Sequence, residues 1–290
     1  MLASSSTDRS ALPAQTRIGA VELGVANLDR AVAYWTNVIG LRVGTRDGGA
    51  AELGAGRGTL VRLVEQPGVV PAPHRTGLFH VALLVPERDA LGAWALHAVR
   101  SGSAIDGASD HTVSEALYLT DPDGHGIELC CDRPRSGWEG RVPELMGTAP
   151  LALEGLLATA PQTAFTGLPD GTTIGHVHLR VASISATISY YSDVLGFDLI
   201  TTYGSQAAFL AVDGYHHQLG ANTWQSEGGR PPAPHEASLR HVEIVLPTTA
   251  DRDAAAARVR DAGGIPVDHG DGWLVRDPSG IGLLLRTPST

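Results

Sequence analysis

A chain of 290 residues, 43% hydrophobic and 18% charged, has material for two globular domains, each able to bury its own core. A formal charge of −10 and an isoelectric point near 5.6, with no basic run, argue against a nucleic-acid backbone or an anionic membrane as the main partner. No stretch approaches the ~20 apolar residues of a membrane span. The two cysteines, Cys130 and Cys131, are sequence neighbours, which fits buried or edge-strand thiols in a reducing compartment and not a disulfide scaffold.

Residues 1–15 are polar and rich in Ser and Ala, without the unbroken apolar core of a signal peptide, and are expected to be a disordered arm of a cytoplasmic protein. Beyond them the chain repeats itself. The segment 18–25 matches 174–181, and the match runs without a gap through a helical stretch into 38–41 and 194–197, at a constant offset of 156. A second pair, 80–86 with 241–247 and Gly102 with Gly263, has an offset of 161. An Asp-Pro-x-Gly turn occurs at 121 and again at 277.

The chain therefore divides into four units of roughly 50 residues, near 16–66, 76–133, 172–222 and 237–287. Each opens with an alternating strand and a helix and closes with short strands broken by Gly or Pro. Helices are predicted near 28–38, 87–101, 184–195 and 248–262, with Asn27 and Ser183 as N-caps and Gly40 and Gly196 at C-terminal ends. Ala31, Tyr34, Trp35 and Val38 recur at helical spacing and belong to a core. Residues 134–171, rich in Pro, Gly and Ala around an apolar stretch at 151–157, are a linker that wraps one half onto the other. The first half, 16–133, and the second, 172–287, each hold two units.

The stretch 109–129 is predicted as strand, tight turn, strand. In Asp121-Pro122-Asp123-Gly124 the proline fixes φ and the glycine tolerates a positive φ, so the chain reverses there. Glu128 then falls between Ile127 and Leu129 in an apolar strand, where a carboxylate is costly unless a cation or a metal meets it.

Four strand-helix-strand-strand-strand units, with histidines near the start of some and Asp-Pro-x-Gly-x-x-Ile-Glu ending one, resemble the vicinal oxygen chelate superfamily, the glyoxalase and extradiol dioxygenase group. The likeness covers about 16–287. It implies an α+β fold in which four βαβββ modules form two curved-sheet half-barrels. It leaves several reactions open: isomerases, ring-cleaving dioxygenases, thiol transferases and antibiotic-binding proteins share the fold.

In such modules the opening and closing strands face a shared cavity, and the residues there form a ledger. Module one offers Ala20 and no carboxylate, module two His80 and Glu128, module three His176 and the run 215–218, and module four His241 with Leu284 at the position matching Glu128. Pairing module two with module three assembles His80, His176 and Glu128, the facial set that leaves open positions on non-haem Fe(II), and the same set accepts Mn(II). The rival pairing makes Glu243 a stand-in carboxylate beside His241. His241 otherwise reads as a core histidine, His74 and His97 as surface or loop residues, and His178 either supports His176 or bonds the backbone.

Asp110-His111-x-x-Ser114, then Tyr118, the Pro-x-Gly turn and Glu128, resemble the arrangement in type I extradiol enzymes of the catechol 2,3-dioxygenase kind, with two extra residues between Ser114 and Tyr118. The resemblance implies that Tyr118 and His111 touch the substrate oxygens. Tyr215-His216-His217-Gln218-Leu219 looks like the His-His strand of the same enzymes, whose second histidine is the acid–base residue; counting without a gap from module two points His216 inward instead. The implied reaction is ring cleavage of a catechol-like aromatic diol by O₂. A glyoxalase-type isomerase, with four protein ligands to its metal, and a metal-free small-molecule-binding protein are the alternatives. Pocket walls are expected from loops 44–60 and 222–236, and a homo-oligomer is compatible with the sequence.

Overall fold

The computed structural model describes residues 11–56 and 58–288, so residues 1–10 of the expected arm lie outside it. The rest of that arm is docked and not loose: Leu12 is buried, and its amide donates to the Gly196 carbonyl at 3.0 Å. Among the described residues no helix is long and apolar enough to cross a membrane.

All four modules take the predicted order. Their opening strands are Arg17–Val25, Gly77–Leu84, Thr173–Arg180 and Leu239–Val245; their closing strands are Val61–Glu65, Gly126–Asp132, Leu219–Asn222 and Gly282–Arg286. The helices between them are Leu28–Tyr34, Arg88–Ser101, Ile184–Ile188 and Thr249–Asp261. The first and third run on as wider π turns over Trp35–Ile39 and Ser189–Leu195. The Asn27 side chain accepts from the Arg30 amide and that of Ser183 from the Ala186 amide, satisfying donors that a helix start leaves free. Gly40 and Gly196 end these segments at φ of 93° and 98°, the left-handed region that favours glycine.

Among the described residues two curved sheets result, one of nine strands and one of eight. In the nine-stranded sheet the opening strands of modules two and three lie antiparallel, each parallel to its own closing strand. The eight-stranded sheet joins modules one and four in the same way. Each sheet thus draws on both sides of the linker. The linker adds to this frame: Ala149–Pro150 pairs with Gly107–Asp110 and becomes the edge of the sheet, and the short helix Leu153–Leu157 packs on Arg88–Ser101. The two helices approach closely at Gly92, where a Cβ would stand 2.7 Å from the Leu156 carbonyl oxygen.

Strand alternation sorts the side chains. Val81, Leu83, Ile127, Leu129, Val177 and Leu179 join the main core, so their neighbours His80, Ala82, Glu128, Cys130, His176 and His178 face the other way. The pairing register shifts just before His176, at Gly175, a bulge that re-aims the side chain following it.

The two Asp-Pro-x-Gly turns lock modules within each half. Asp121 accepts the amides of Asp123 and His125 on Oδ1 and the Trp35 indole on Oδ2; Asp277 accepts the amides of Ser279 and Ile281 on Oδ1 and the Tyr191 hydroxyl on Oδ2. Burial outweighs these donors at Asp277 and pushes its carboxyl from the ordinary 3.8 up to about 6. A folded state that holds this proton longer than the unfolded chain is stabilised fully below about pH 4 and loses that stability as pH rises through about 6. The expected loss is about 3 kcal/mol, at roughly 1.4 kcal/mol per pH unit between the two values. Asp277→Asn should therefore flatten the stability curve between pH 4 and 6 in urea unfolding, and an unaltered slope would contradict the assignment.

Candidate metal centre

His80, Glu128 and His176 meet on the inner face of the nine-stranded sheet. Antiparallel pairing sets Ala82 opposite His176, and parallel pairing sets the same Ala82 opposite Glu128. One small residue, on the same strand as His80, therefore lies between Glu128 and His176 on the flanking strands. Glu128 Oε2 stands 3.0 Å from His80 Nε2 and 3.3 Å from His176 Nε2, and the two nitrogens are 3.3 Å apart. Among the described residues this is the group of three able to hold a metal.

These distances suit a cation. Ligand atoms at right angles about an ion, each about 2.1 Å from it, stand about 3.0 Å from one another. All three residues are buried, and His176 Nδ1 has no hydrogen-bond partner. Burial favours the acid form of Glu128, but the facing imidazoles of His176 and His80 outweigh it and hold the carboxyl well below the usual range. Burial in turn pushes His176 down from its ordinary value, against the pull of Glu128. A carboxylate beside neutral imidazoles is the form of these groups that binds metal.

The site opens into a cavity of about 380 Å³ whose walls include Phe79, Met146, Phe209 and Trp224. Tyr118 lies against the His80 ring at 5.6 Å between centroids, and His217 against the His176 ring at 4.1 Å. The Tyr118 hydroxyl is 2.7 Å from His111 Nε2, and His111 Nδ1 is 2.7 Å from the Gly147 carbonyl oxygen. A carbonyl only accepts, so His111 Nδ1 carries hydrogen, and with a single ring proton placed there Nε2 is the acceptor for Tyr118. Burial, and then Glu128, push the Tyr118 phenol up, which keeps it a donor. His111 is aimed by a tight turn in which Thr112 has a φ of 69°, strained for a β-branched residue, with its amide donating to Asp110 Oδ1.

His217 lines the cavity and His216 lies behind it, so the His-His resemblance assigns the inward residue and gapless counting does not. Burial, reinforced by His176, His216 and His178, pushes the His217 imidazolium well down. His178 also lines the cavity, with Nε2 buried and unpartnered, and stacks edge-on to Phe79.

Sequence reasoning missed Met146, Gly147 and Thr148, which reach the cavity from the linker, and Asp132, which pairs with His216. Of the two loops expected as walls, 222–236 contributes Trp224. Loop 44–60 instead lines a separate cavity of about 740 Å³ in the eight-stranded sheet, because module one pairs with module four. His241 lines that second cavity and is not sealed in a core. Its neighbour Glu243 is engaged by Arg286 and by the Ala20 amide, and Glu22 by Arg240 and Arg62, so the acids there already have partners.

The family model of the Glyoxalase/Bleomycin resistance protein/Dioxygenase superfamily matches residues 17–129 and 173–285. A catechol-2,3-dioxygenase of Bacillus subtilis (strain 168) is 41% identical over 271 residues, covering 91% of this chain and 94% of its own. Among solved structures, a putative dioxygenase from Bacillus subtilis subsp. subtilis str. 168 superposes with a TM-score of 0.66 at 13% identity, covering 97% of this chain and 87% of the other. Glyoxalase I from Zea mays superposes at 0.59 with 18% identity, covering 94% and 92%. At those identities the structures speak for the fold alone. With both halves matched by the family model and a close relative aligned almost end to end, the chain belongs to the glyoxalase, bleomycin resistance protein and dioxygenase superfamily.

Proposed function

We propose that this protein is an iron(II)-dependent extradiol dioxygenase that opens the ring of a catechol-like aromatic with O₂. The observation that carries the reading is the convergence on one cavity of His80, Glu128 and His176 with Tyr118 on one side and His217 on the other. The identity to a catechol-2,3-dioxygenase supports it. Two buried free thiols fit a reducing, cytoplasmic setting.

Iron(II) on these three ligands would supply Lewis acidity, lowering the pKa of the diol hydroxyls, and open positions for the diol and O₂. The chain's own residues then handle position and protons. A substrate hydroxyl donating to Tyr118 Oη would head a chain of hydrogen bonds that continues to His111 and ends on the Gly147 carbonyl. His217, uncharged through burial, is the group able to accept the second proton and return one later. Phe79, Phe209 and Trp224 offer flat apolar surface for the ring, and no Lys or Arg lines this cavity among the described residues, so the fit is to an uncharged catechol.

The test is O₂ uptake by iron-loaded protein with catechol, followed through the yellow ring-opened product. One O₂ per ring is expected, with catechol turned over faster than a carboxylate-bearing analogue. Turnover of a thiol adduct under anaerobic conditions, with no O₂ consumed on catechol, would replace this reading by an isomerase.

A further inference from the structure

Behind His217 lies a line of three residues that the ring-cleavage reading does not require. Asp132 ends the closing strand of module two, Gly126–Asp132, four residues past Glu128 and so on the same strand face. Its Oδ2 accepts from the Tyr215 hydroxyl at 2.7 Å, and its Oδ1 is 3.0 Å from His216 Nε2. His216 Nδ1 is 2.9 Å from His217 Nδ1. His216 is 1% exposed and held between the rings of Tyr215 and Trp138, with centroids at 4.0 and 5.4 Å.

We propose that Asp132 and His216 are positioning residues that lock His217 in the tautomer with its proton on Nδ1 and its lone pair on Nε2. With both rings neutral, proton bookkeeping along the line gives this direction. A carboxylate can only accept, so His216 Nε2 must carry hydrogen. A neutral imidazole has one ring proton, which leaves a lone pair on His216 Nδ1. The nitrogen facing it, His217 Nδ1, must then be the donor. His217 Nε2, the remaining ring nitrogen of a residue that lines the cavity, is left as an acceptor. A carboxylate fixing the tautomer of a functional histidine is general chemistry, but here it acts through a second histidine.

Without Asp132 nothing sets the direction. The contact between the two Nδ1 atoms could reverse, with His216 donating and His217 presenting Nε2–H to the cavity. In that state His217 is a donor and cannot take a proton from a substrate. The strand that supplies the metal-binding carboxylate would thus also set the proton acceptor four residues on.

The catalytic meaning of this relay rests on the dioxygenase reading, but the tautomer can be read without it. Zinc-loaded protein is diamagnetic, and long-range ¹⁵N–¹H NMR of its histidine rings distinguishes Nδ1–H from Nε2–H, with His217 assigned by the signals lost in His217→Gln. We expect Nδ1–H at His217 in the unaltered protein, and a shift towards Nε2–H in Asp132→Ala. His216→Phe keeps a ring between Tyr215 and Trp138, leaves Asp132 intact and should give the same shift, which covers the case in which Asp132→Ala fails to fold. In the iron-loaded protein, Asp132→Ala should lower kcat about 10- to 100-fold, with KM for catechol and iron content little changed. His217 found with its proton on Nε2 in the unaltered protein, or unmoved in both variants, would overturn the relay. So would a kcat within twofold of normal in an active enzyme. An unaltered protein that is inactive on catechol but shows the expected tautomers would sink the dioxygenase reading and leave the relay standing.

Discussion

Glu128→Ala is expected to abolish tight binding of iron(II), and with it the thermal stabilisation that a bound ion confers. The carboxylate is the charged member of a set whose other two members are imidazoles, and its Oε2 is the atom nearest both. Without it, two imidazole nitrogens 3.3 Å apart remain in a buried site, too few to hold a hard divalent ion against water. An ion present at 100 times its Kd stabilises the folded state by about 2.7 kcal/mol. For a protein of this size that corresponds to a rise in Tm of about 5–10 °C, at roughly 2–4 °C per kcal/mol. The unaltered protein should show this rise on adding iron(II) under anaerobic conditions, and Glu128→Ala, His80→Ala and His176→Ala should not. His241→Ala, in the other cavity, is the control and should keep it. The same series with manganese(II) reports whether the set discriminates between the two ions. Full metal content and activity in His80→Ala would remove the site from this place in the fold.

How the modules pair was legible because few residue types are able to hold a metal. Ala20 stands where module three has His176, and Leu284 where module two has Glu128, so a complete set exists only when the second and third modules share a sheet. The helices were legible from their ends, Asn27 and Ser183 at the start and Gly40 and Gly196 at the finish, since those residue types satisfy backbone demands that do not depend on the rest of the fold. What stayed hidden was held by backbone atoms or by distant pairing. His111 is oriented by the carbonyl of Gly147, and a carbonyl leaves no mark in a sequence. Loop 44–60 was assigned to the wrong cavity because its position follows from the partner of module one, not from its own residues. Asp132 did carry a signal: an acid four residues beyond Glu128 on one strand shares its face by simple alternation, and the adjacent His216 and His217 needed a partner to break their equivalence.

His217→Gln is expected to lower kcat by about 10²- to 10⁴-fold, the range general acid–base catalysis contributes, while leaving the metal in place. Gln is close to His in volume and keeps a hydrogen-bonding end, so the variant should still fill the space against His176 and Phe209. What it lacks is a site that both takes a proton and gives it back. His217 has that capacity in its neutral form, and its surroundings secure that form: burial comes first, and the nearby imidazoles of His176, His216 and His178 add to it. Tyr118 cannot substitute, because burial and then Glu128 hold its phenol protonated and its hydroxyl is already directed at His111. The two sides of the cavity thus differ in kind: Tyr118, its own hydrogen given to His111, only receives a hydrogen bond from one diol hydroxyl, whereas His217 is able to take the proton of the other. The loss in His217→Gln should therefore appear in kcat, with KM and the rise in Tm on adding iron little different from those of the unaltered protein. A variant that instead loses iron, or that turns over within tenfold of the unaltered protein, would show that the second proton leaves by another route.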